Sequence, residues 1–266
     1  MMHMSYRVSL LLTLTLLSAC SALPNRIVAL VGHGNCADIT EEKLLSESSS
    51  LGPSTSTEDL QCAMNLARKS TTPAFIRSSR SSEIALHLAE RLPTGPDREA
   101  LAAEGVKLAE RALSNGGKED AAVHYYLAAN LGLAINNHPV QAAENLHRLE
   151  DELTTAARLS KAVDQGGPLR LLGMLYLKAP PWPTGIGDGD KALSYLKEAV
   201  DHYGQHPLNH LFYAEALFEV DEKTTEAQAE IQRGQTILAK GPWGYNRVIW
   251  DKEFAEVILE ITKAAH

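Results

Sequence analysis

Three histidines, His202, His206 and His210, stand four residues apart. On an uninterrupted helix this spacing would place three imidazoles on one face, where they could bind a metal ion. Gly204 and Pro207 interrupt such a helix, because proline cannot continue it and glycine favours its end. We therefore expect the three side chains to diverge around a turn and to be solvated rather than to bind metal.

A second polar group, Asp188-Gly189-Asp190, carries the carboxylates that a hard cation such as Ca²⁺ prefers. The alternating ligands and the terminal glutamate of a calcium loop are missing. The simpler interpretation is that Asp188 or Asp190 caps the helix that starts near Lys191. The sequence thus predicts neither a metal site nor a cofactor.

Enzyme motifs are missing from the chain. It contains no Gly-x-Ser-x-Gly turn, no His-Glu-x-x-His helix and no phosphate loop ending in Gly-Lys-Ser/Thr. Carboxylates are plentiful, but none stands out as half of a paired acid and base. We predict that the protein is not an enzyme. A cell-wall enzyme with unrecognised residues is the alternative from a different functional class.

The first nineteen residues have the pattern of an export signal. Arg7 precedes an apolar run over 8–17, which is too short to span a bilayer as a mature helix. The tetrapeptide Leu-Ser-Ala-Cys ending at Cys20 resembles the lipobox of bacterial lipoproteins, in which the cysteine becomes the lipid-bearing N-terminus. The alternative is an ordinary signal that is cut near Ala19 or Ala22.

Lipidation of Cys20 would anchor the mature protein to a bacterial membrane by lipid alone. By the same resemblance, Ser21 after the cysteine implies the outer membrane, with the protein facing the periplasm. The chain has 25 basic and 33 acidic residues and a formal net charge of −8. This charge argues against nucleic acid or an anionic lipid surface as the main partner.

Two further cysteines, Cys36 and Cys62, remain if Cys20 carries lipid. An exported pair is a disulfide candidate, because the periplasm is oxidising. Two buried free thiols are the alternative. A zinc site that uses His33 and Cys36 would lack further ligands at the usual spacing.

Between the signal and the helices, residues 20–56 form a mixed leader and linker. Residues 27–31 are apolar and fit a short strand or a buried strap, and residues 46–57 are rich in Ser, Thr, Gly and Pro. After this leader the helical period dominates and alternating strand patterns are nearly missing. The predicted helices are 57–70, 81–92, 97–115, 119–136, 140–164, 168–178, 189–204, 208–220, 223–239 and 244–264.

A short phrase recurs at the predicted helix ends: a charged residue, a small one, an aliphatic one, and a glycine within four residues. It occurs as Arg111-Ala112-Leu113, Lys161-Ala162-Val163 and Glu198-Ala199-Val200. Pro168, Pro207 and Pro242 stand where we expect new helices to begin, since proline suits a first turn. The recurrence of these helix ends along the chain predicts an all-α solenoid of stacked antiparallel helix pairs.

Small residues alternate with large ones where two helices of a pair should cross, which allows close approach. The residues concerned are Leu172, Gly173, Tyr176, Ala192, Leu196 and Ala199, and then Tyr213, Ala214, Leu217, Ala227, Ile231 and Gly234. This pattern resembles the tetratricopeptide repeat (TPR). We place TPR-like repeats over 57–241 and a C-terminal capping helix over 242–266. The stripe Trp250, Phe254, Val257 and Ile261 would cover the last apolar face of an open solenoid, with ligand stacking as the alternative role.

One repeat resembles exported proteins related to the T component of TRAP transporters, in the segment from Leu172 to Pro180 and on through Trp182, Gly187 and Lys191 to Leu193. That resemblance implies a helical-repeat lipoprotein that associates with a solute-binding protein and can form a trimer. We therefore expect a non-catalytic binding subunit that is auxiliary to a TRAP-type uptake system, with a protein partner or a second copy of itself. A TPR scaffold for envelope assembly is the alternative in the same class.

The turn of this repeat is longer than the corresponding turn of the next one and contains Pro180, Pro181 and Pro183. The prolines stiffen the loop around Trp182, which suits the presentation of an apolar anchor to a partner. We take Pro180, Trp182 and Pro183 as candidate partner-binding residues. The alternative is that Trp182 folds back and plugs its own helix pair.

Overall fold

A computed structural model describes residues 36–45, 51–69 and 74–264. The predicted signal, Cys20, residues 27–31 and part of the predicted linker therefore lie outside the described residues. Within the described ranges the chain is helical and forms no β-strand, only an isolated bridge between Pro181 and Gly187. The all-α class is thus confirmed.

Eleven α-helices and three short 3₁₀ turns make up the described part of the chain. The helices are α1 (Glu41–Leu45), α2 (Thr57–Lys69), α3 (Ala74–Glu90), α4 (Pro96–Ser114), α5 (Ala121–Ile135), α6 (Pro139–Leu159), α7 (Gly167–Lys178), α8 (Gly189–Tyr203), α9 (Pro207–Asp221), α10 (Thr224–Lys240) and α11 (Arg247–Ala264). The 3₁₀ turns are Cys36–Asp38, Gly117–Glu119 and Gly244–Asn246.

Most helix ends lie within a few residues of the predicted ones, because capping residues and prolines act locally. Asp120 caps α5 by accepting hydrogen bonds from the backbone N–H groups of Ala122 (2.8 Å) and Val123 (3.3 Å). Asp188 caps α8 by accepting from the N–H of Lys191 at 3.0 Å, as the sequence suggested. Pro207 is the first residue of α9.

Three predicted boundaries were wrong. Helix α3 begins at Ala74 rather than at residue 81. Helix α6 ends at Leu159 because Ser160 is extended, so the phrase Lys161-Ala162-Val163 lies in a turn and not at a helix end. Pro242 does not begin α11, which starts five residues later, after a 3₁₀ turn.

The helices pack in chain order, each from α2 to α11 against the next. In addition, α3 contacts α5, α5 contacts α7, and α7 contacts α9, so these four helices form one row. In the described part of the chain, apolar clusters fill the spaces between neighbouring helices.

Glycines allow the closest helix crossings. A Cβ on Gly173 of α7 would lie 2.3 Å from Cγ of Leu196 on α8, and a Cβ on Gly105 of α4 would lie 2.3 Å from Oδ1 of Asn130 on α5. Only a residue without a side chain permits these approaches. The small residues that the sequence pattern placed at the α7/α8 crossing therefore do lie there.

Candidate functional site

The row α3, α5, α7 and α9 borders a cavity of about 430 Å³. Helix α11 lies against α9 and α10 and contributes the opposite wall through Ile249, Trp250 and Glu253. A cavity of this size falls within the ~300–1,000 Å³ of typical small-molecule sites. It is the candidate functional site of the described residues.

Most of the cavity wall is apolar. It is formed by aliphatic side chains of α5, α6 and α7 and by aromatic side chains of α9 and α11, among them Leu133, Leu153, Met174, Phe212 and Trp250. Trp250 is itself buried against the C-terminal core. The stripe on α11 therefore packs against α9 and α10 and also gives one of its aromatic rings to the cavity wall.

The cavity floor is a buried ion pair between Arg170 and Asp164. Tyr125 donates its hydroxyl to Oδ2 of Asp164 at 2.6 Å, and Arg170 donates to Oδ1 of Asn209 at 2.8 Å. Burial alone would raise the pKa of Asp164, but the Arg170 guanidinium outweighs it and holds this pKa below its usual value. These four groups satisfy one another, so their main role is to fix the floor.

A second polar group lies beside this floor, on α3. His87 is buried, and its Nδ1 has no hydrogen-bond partner in the described residues, standing 3.7 Å from Oε2 of Glu90. Burial lowers the pKa of His87, but Glu90 and Glu83 outweigh it and raise the pKa overall. Glu90 also accepts a weak hydrogen bond from Nδ2 of Asn246 at 3.4 Å.

Glu253 of α11 and Arg98 of α4 are the remaining charged groups of the wall. Oε2 of Glu253 is buried and has no hydrogen-bond partner in the described residues. Burial and the neighbouring Glu90 raise the pKa of Glu253 to about 7, although Arg98 acts in the opposite direction. Arg98 forms no hydrogen bond or ion pair with the described part of the chain. Among the described residues, the site therefore holds a carboxyl and a guanidinium that have no hydrogen-bond or ion-pair partner.

The charged residues of the cavity were not predicted from the sequence. Two of them leave a visible trace: Arg170 interrupts a run of leucines, and Glu253 is flanked in the helical period by the apolar Trp250 and Phe254. A charge at an otherwise apolar helical position is a sign of a buried polar group. For His87, Glu90 and Arg98 we find no such trace.

The expectation that the three spaced histidines are solvated was wrong for two of them. His202 is exposed, but His206 is buried beside Trp243 and Trp250, with ring centroids 5.3 and 5.1 Å away. Burial, helped by Arg170, lowers the pKa of His206 to about 3 and keeps the ring neutral. The turn ends at Pro207, which begins α9, and the first residues of α9 are buried rather than solvated.

His210 is also buried, and its bonds repeat in another helix pair. Its Nδ1 lies 2.6 Å from a carboxylate oxygen of Glu230, and its Nε2 lies 3.0 Å from the backbone carbonyl oxygen of Gly204. His124 makes the same two contacts at the same distances, with Glu152 and the carbonyl of Lys118. The histidines thus link two helices of a pair rather than bind metal. Within the described residues, no three His, Cys, Asp or Glu side chains converge as a metal site requires.

The proline-rich turn between α7 and α8 exposes Trp182, of which 85% is accessible. Backbone hydrogen bonds close the turn, from the N–H of Gly187 to the carbonyl of Pro180 (2.9 Å) and from the N–H of Gly185 to that of Pro181 (3.2 Å). Trp182 does not fold back onto the helix pair, so the interpretation as a plug does not fit the structure. Pro180 and Pro183 hold the turn beside it but do not meet the cavity lining.

Cys36 and Cys62 are joined by a disulfide in the structure, with their Cα atoms 5.4 Å apart. The bond ties the 3₁₀ turn before α1 to helix α2. Cys20, the predicted lipidation site, lies outside the described residues. Among the helices that are described, none has the length and apolar character that crossing a membrane would require.

Comparison with known proteins does not identify the function of the chain. The chain matches no protein-family model. A search of curated proteins finds no significant match. The functional conclusion therefore rests on the cavity and on the exposed turn.

Proposed function

We propose that the protein is a non-catalytic binding subunit that holds a small, largely apolar ligand in the cavity beside α3, α5, α7, α9 and α11. The observation that carries this proposal is an open volume of about 430 Å³ with an apolar wall and a few charged groups that lack partners among the described residues. Few precisely placed polar groups in an apolar pocket are typical of ligand sites.

The composition of the wall favours binding over catalysis. None of the described residues that line the cavity is Ser, Thr, Cys or Lys, the side chains that most often act as nucleophiles. Arg170 and Asp164 neutralise each other at the floor. The remaining charged side chains of the cavity are suited to orienting a ligand.

The finer architecture that we propose is a TPR-like solenoid. The contacts of α3, α5, α7 and α9 with one another, and of each with its following helix, are those expected for the inner row of stacked helix pairs. The glycine at the α7/α8 crossing also supports this assignment.

The specific version of the function comes from the resemblance to the T component of TRAP transporters. In it, the protein is lipid-anchored through Cys20, faces the periplasm and assists a solute-binding protein. The exposed Trp182 turn supports a protein contact, either with such a partner or with a second copy of the chain. A scaffold for envelope assembly would use the same surface.

Binding of an uncharged apolar dye tests the cavity directly. The full chain carrying Cys20→Ala, which avoids lipid and detergent, is titrated with N-phenyl-1-naphthylamine and the fluorescence is followed. Gly132→Phe should reduce binding at least tenfold, because a side chain at Gly132 would enter open space in the cavity. Val140→Phe adds the same ring at a site that is 70% exposed on α6 and should leave binding unchanged.

Equal dye binding by both phenylalanine variants would refute the cavity as the binding site.

Purification of the anchored protein from detergent-solubilised membranes tests the partner. Co-purification of solute-binding proteins supports the TRAP version, and co-purification of outer-membrane or wall machinery supports the scaffold. Turnover of peptidoglycan by the purified chain would instead favour an enzyme.

A further inference from the structure

We propose that the cavity ligand is a zwitterion of the amino-acid class with a large apolar side chain. Its ammonium group pairs with Glu253 and its carboxylate pairs with Arg98. This inference deepens the binding function proposed above and rests on it.

The charged side chains of the cavity leave one carboxyl and one guanidinium that could pair with the two charged groups of such a ligand. Arg170 and Asp164 form a mutual ion pair, and Glu90 stands beside His87 and Asn246. After these groups are accounted for, the carboxyl of Glu253 and the guanidinium of Arg98 remain without hydrogen bonds to the described residues.

Glu253 and Arg98 are close enough for the Arg98 charge to act on the carboxyl, yet they form no ion pair with each other. A ligand that carries both charges on neighbouring atoms can satisfy both side chains at once. A ligand with one charge would leave the other side chain unpaired in a partly buried site, which is costly.

The lining of the same cavity contains a third atom without a hydrogen-bond partner among the described residues. Nδ1 of His87, whose residue is only 5% exposed, lacks a hydrogen-bond partner in the described residues. It gives the polar side of the cavity a further hydrogen-bonding atom for the head of a ligand. An uncharged hydrocarbon would satisfy none of the three groups.

The rest of the wall specifies the side chain of the ligand. Leu133, Leu153 and Met174 form an apolar surface, and Phe212 and Trp250 add aromatic rings. Burial of a large aliphatic or aromatic side chain against this surface is favourable, because it removes apolar area from water. Small polar amino acids would leave the surface uncovered.

Calorimetric titration with four ligands that differ in their charged groups tests the proposal. The full chain carrying Cys20→Ala is titrated with L-phenylalanine, with 2-phenylethylamine, which lacks the carboxylate, with 3-phenylpropanoate, which lacks the ammonium group, and with N-phenyl-1-naphthylamine. Phenylalanine should bind at least tenfold more tightly than either analogue of single charge.

Variants of the protein then test which side chain pairs with each charged group of the ligand. Glu253→Gln should reduce affinity for phenylalanine at least tenfold and leave 3-phenylpropanoate nearly unaffected. Arg98→Gln should reduce affinity for phenylalanine and leave 2-phenylethylamine nearly unaffected. Glu256→Gln, an exposed carboxyl on the same helix as Glu253, is the matched control and should change nothing.

The possible outcomes separate this inference from the function on which it rests. Equal binding of phenylalanine and one singly charged analogue, or variants without effect, would overturn the zwitterion. Binding of the uncharged dye without any of the three phenyl ligands would overturn the zwitterion and keep the cavity as a binding site. Absence of dye binding as well would overturn both.

Discussion

Glu253 shows how one buried group can couple the candidate site to the stability of the fold. Its pKa is about 7 in the folded chain, against an ordinary value of 4.5. Between these two values the folded state binds more protons than the unfolded state, so stability falls as the pH rises through that window. The carboxyl is favourable to the fold only while it is protonated.

We therefore expect Glu253→Gln to stabilise the protein at pH 8 and to have little effect at pH 4.5. The gain should grow between these values and reach up to about 3 kcal/mol, because a pKa change of one unit corresponds to about 1.4 kcal/mol. Urea unfolding of both chains at several pH values measures it. Glu90, Arg98, Arg170 and Glu256 also act on Glu253, but they are present in both chains.

A constant stability difference between the two chains from pH 4.5 to pH 8 would contradict a raised pKa for Glu253.

His206 changes the stability of the fold with pH in the opposite direction. Its pKa is lowered to about 3, so stability that is present above pH 6.5 is lost as the pH falls towards 3. This loss is common to wild type and variant and cancels in the comparison.

Among the helices, the crossing of α7 and α8 depends on Gly173. We expect Gly173→Ala to destabilise the chain by about 1–2 kcal/mol, because the new methyl group would collide with Leu196 and the strain exceeds the gain in helix propensity. Chemical denaturation at neutral pH measures the change. Gly132→Ala is the matched control, since a Cβ there meets no atom within 4 Å, and it should be neutral or stabilising.

Loss of stability in both alanine variants would show that the space at the α7/α8 crossing is not the cause. A gain in both would show that propensity outweighs packing. Either result would remove the support that this crossing gives to a TPR-like arrangement.

The turn between α7 and α8 is a separate element with a separate prediction. Trp182→Ala should weaken self-association or partner binding by more than about 1 kcal/mol and leave the melting temperature nearly unchanged, because the indole is 85% exposed. Sedimentation equilibrium over a range of concentrations measures self-association. Val140→Ala removes another exposed apolar side chain, on α6, and should have no effect.

Should Trp182→Ala lower the melting temperature and leave association unchanged, the tryptophan would serve only its own helix pair. Such a result would also remove the main support for a protein partner at this turn. The cavity proposal would stand, because Trp182 is not part of the lining.

At the scale of the whole molecule, the C-terminal segment returns to the N-terminal helices. Arg91, just after α3, donates to Oδ1 of Asn246 at 3.4 Å and to the carbonyl of Pro53 at 3.2 Å, and its guanidinium lies 5.1 Å from the ring centre of Tyr245. The 3₁₀ turn Gly244–Asn246 thus contacts the residue that follows α3. Asn246 of this turn also lines the cavity.

The disulfide fixes the start of the same unit. We expect Cys36 and Cys62 to resist alkylation in unreduced protein that carries Cys20→Ala, and to take up two alkyl groups after reduction in denaturant. Reduction should lower the free energy of unfolding by about 3 kcal/mol, as the chain-entropy argument gives for a separation of 26 residues. Intact mass and urea unfolding measure the two effects. Two alkylated thiols in unreduced protein would contradict the bond.

Lipid attachment through Cys20 is the proposed means by which the molecule is held at a membrane. Replacement of Cys20 by alanine should then move the protein from the membrane fraction to the soluble fraction, because the variant cannot carry the lipid. Fractionation followed by immunoblotting measures this. Cys36→Ala, a cysteine outside the lipobox, is the control and should stay with the membranes. Retention of the Cys20 variant on membranes would contradict the lipid anchor.

The sequence by itself determined the helical class and most helix ends. Asp188 and Pro207 act within one or two turns of their own position, so their effects can be predicted without a tertiary structure. The helical period likewise showed that Trp250 and Phe254 share a face. These are local properties of the chain.

Only the tertiary structure decided where the faces point. The return of Asn246 to Arg91, 155 residues earlier, depends on the sum of many small crossing angles, and no local pattern specifies that sum. For the same reason the burial of His206 and the position of Glu253 in the cavity wall could not be predicted. The pieces of the candidate site come from helices far apart in sequence, and packing alone brings them together.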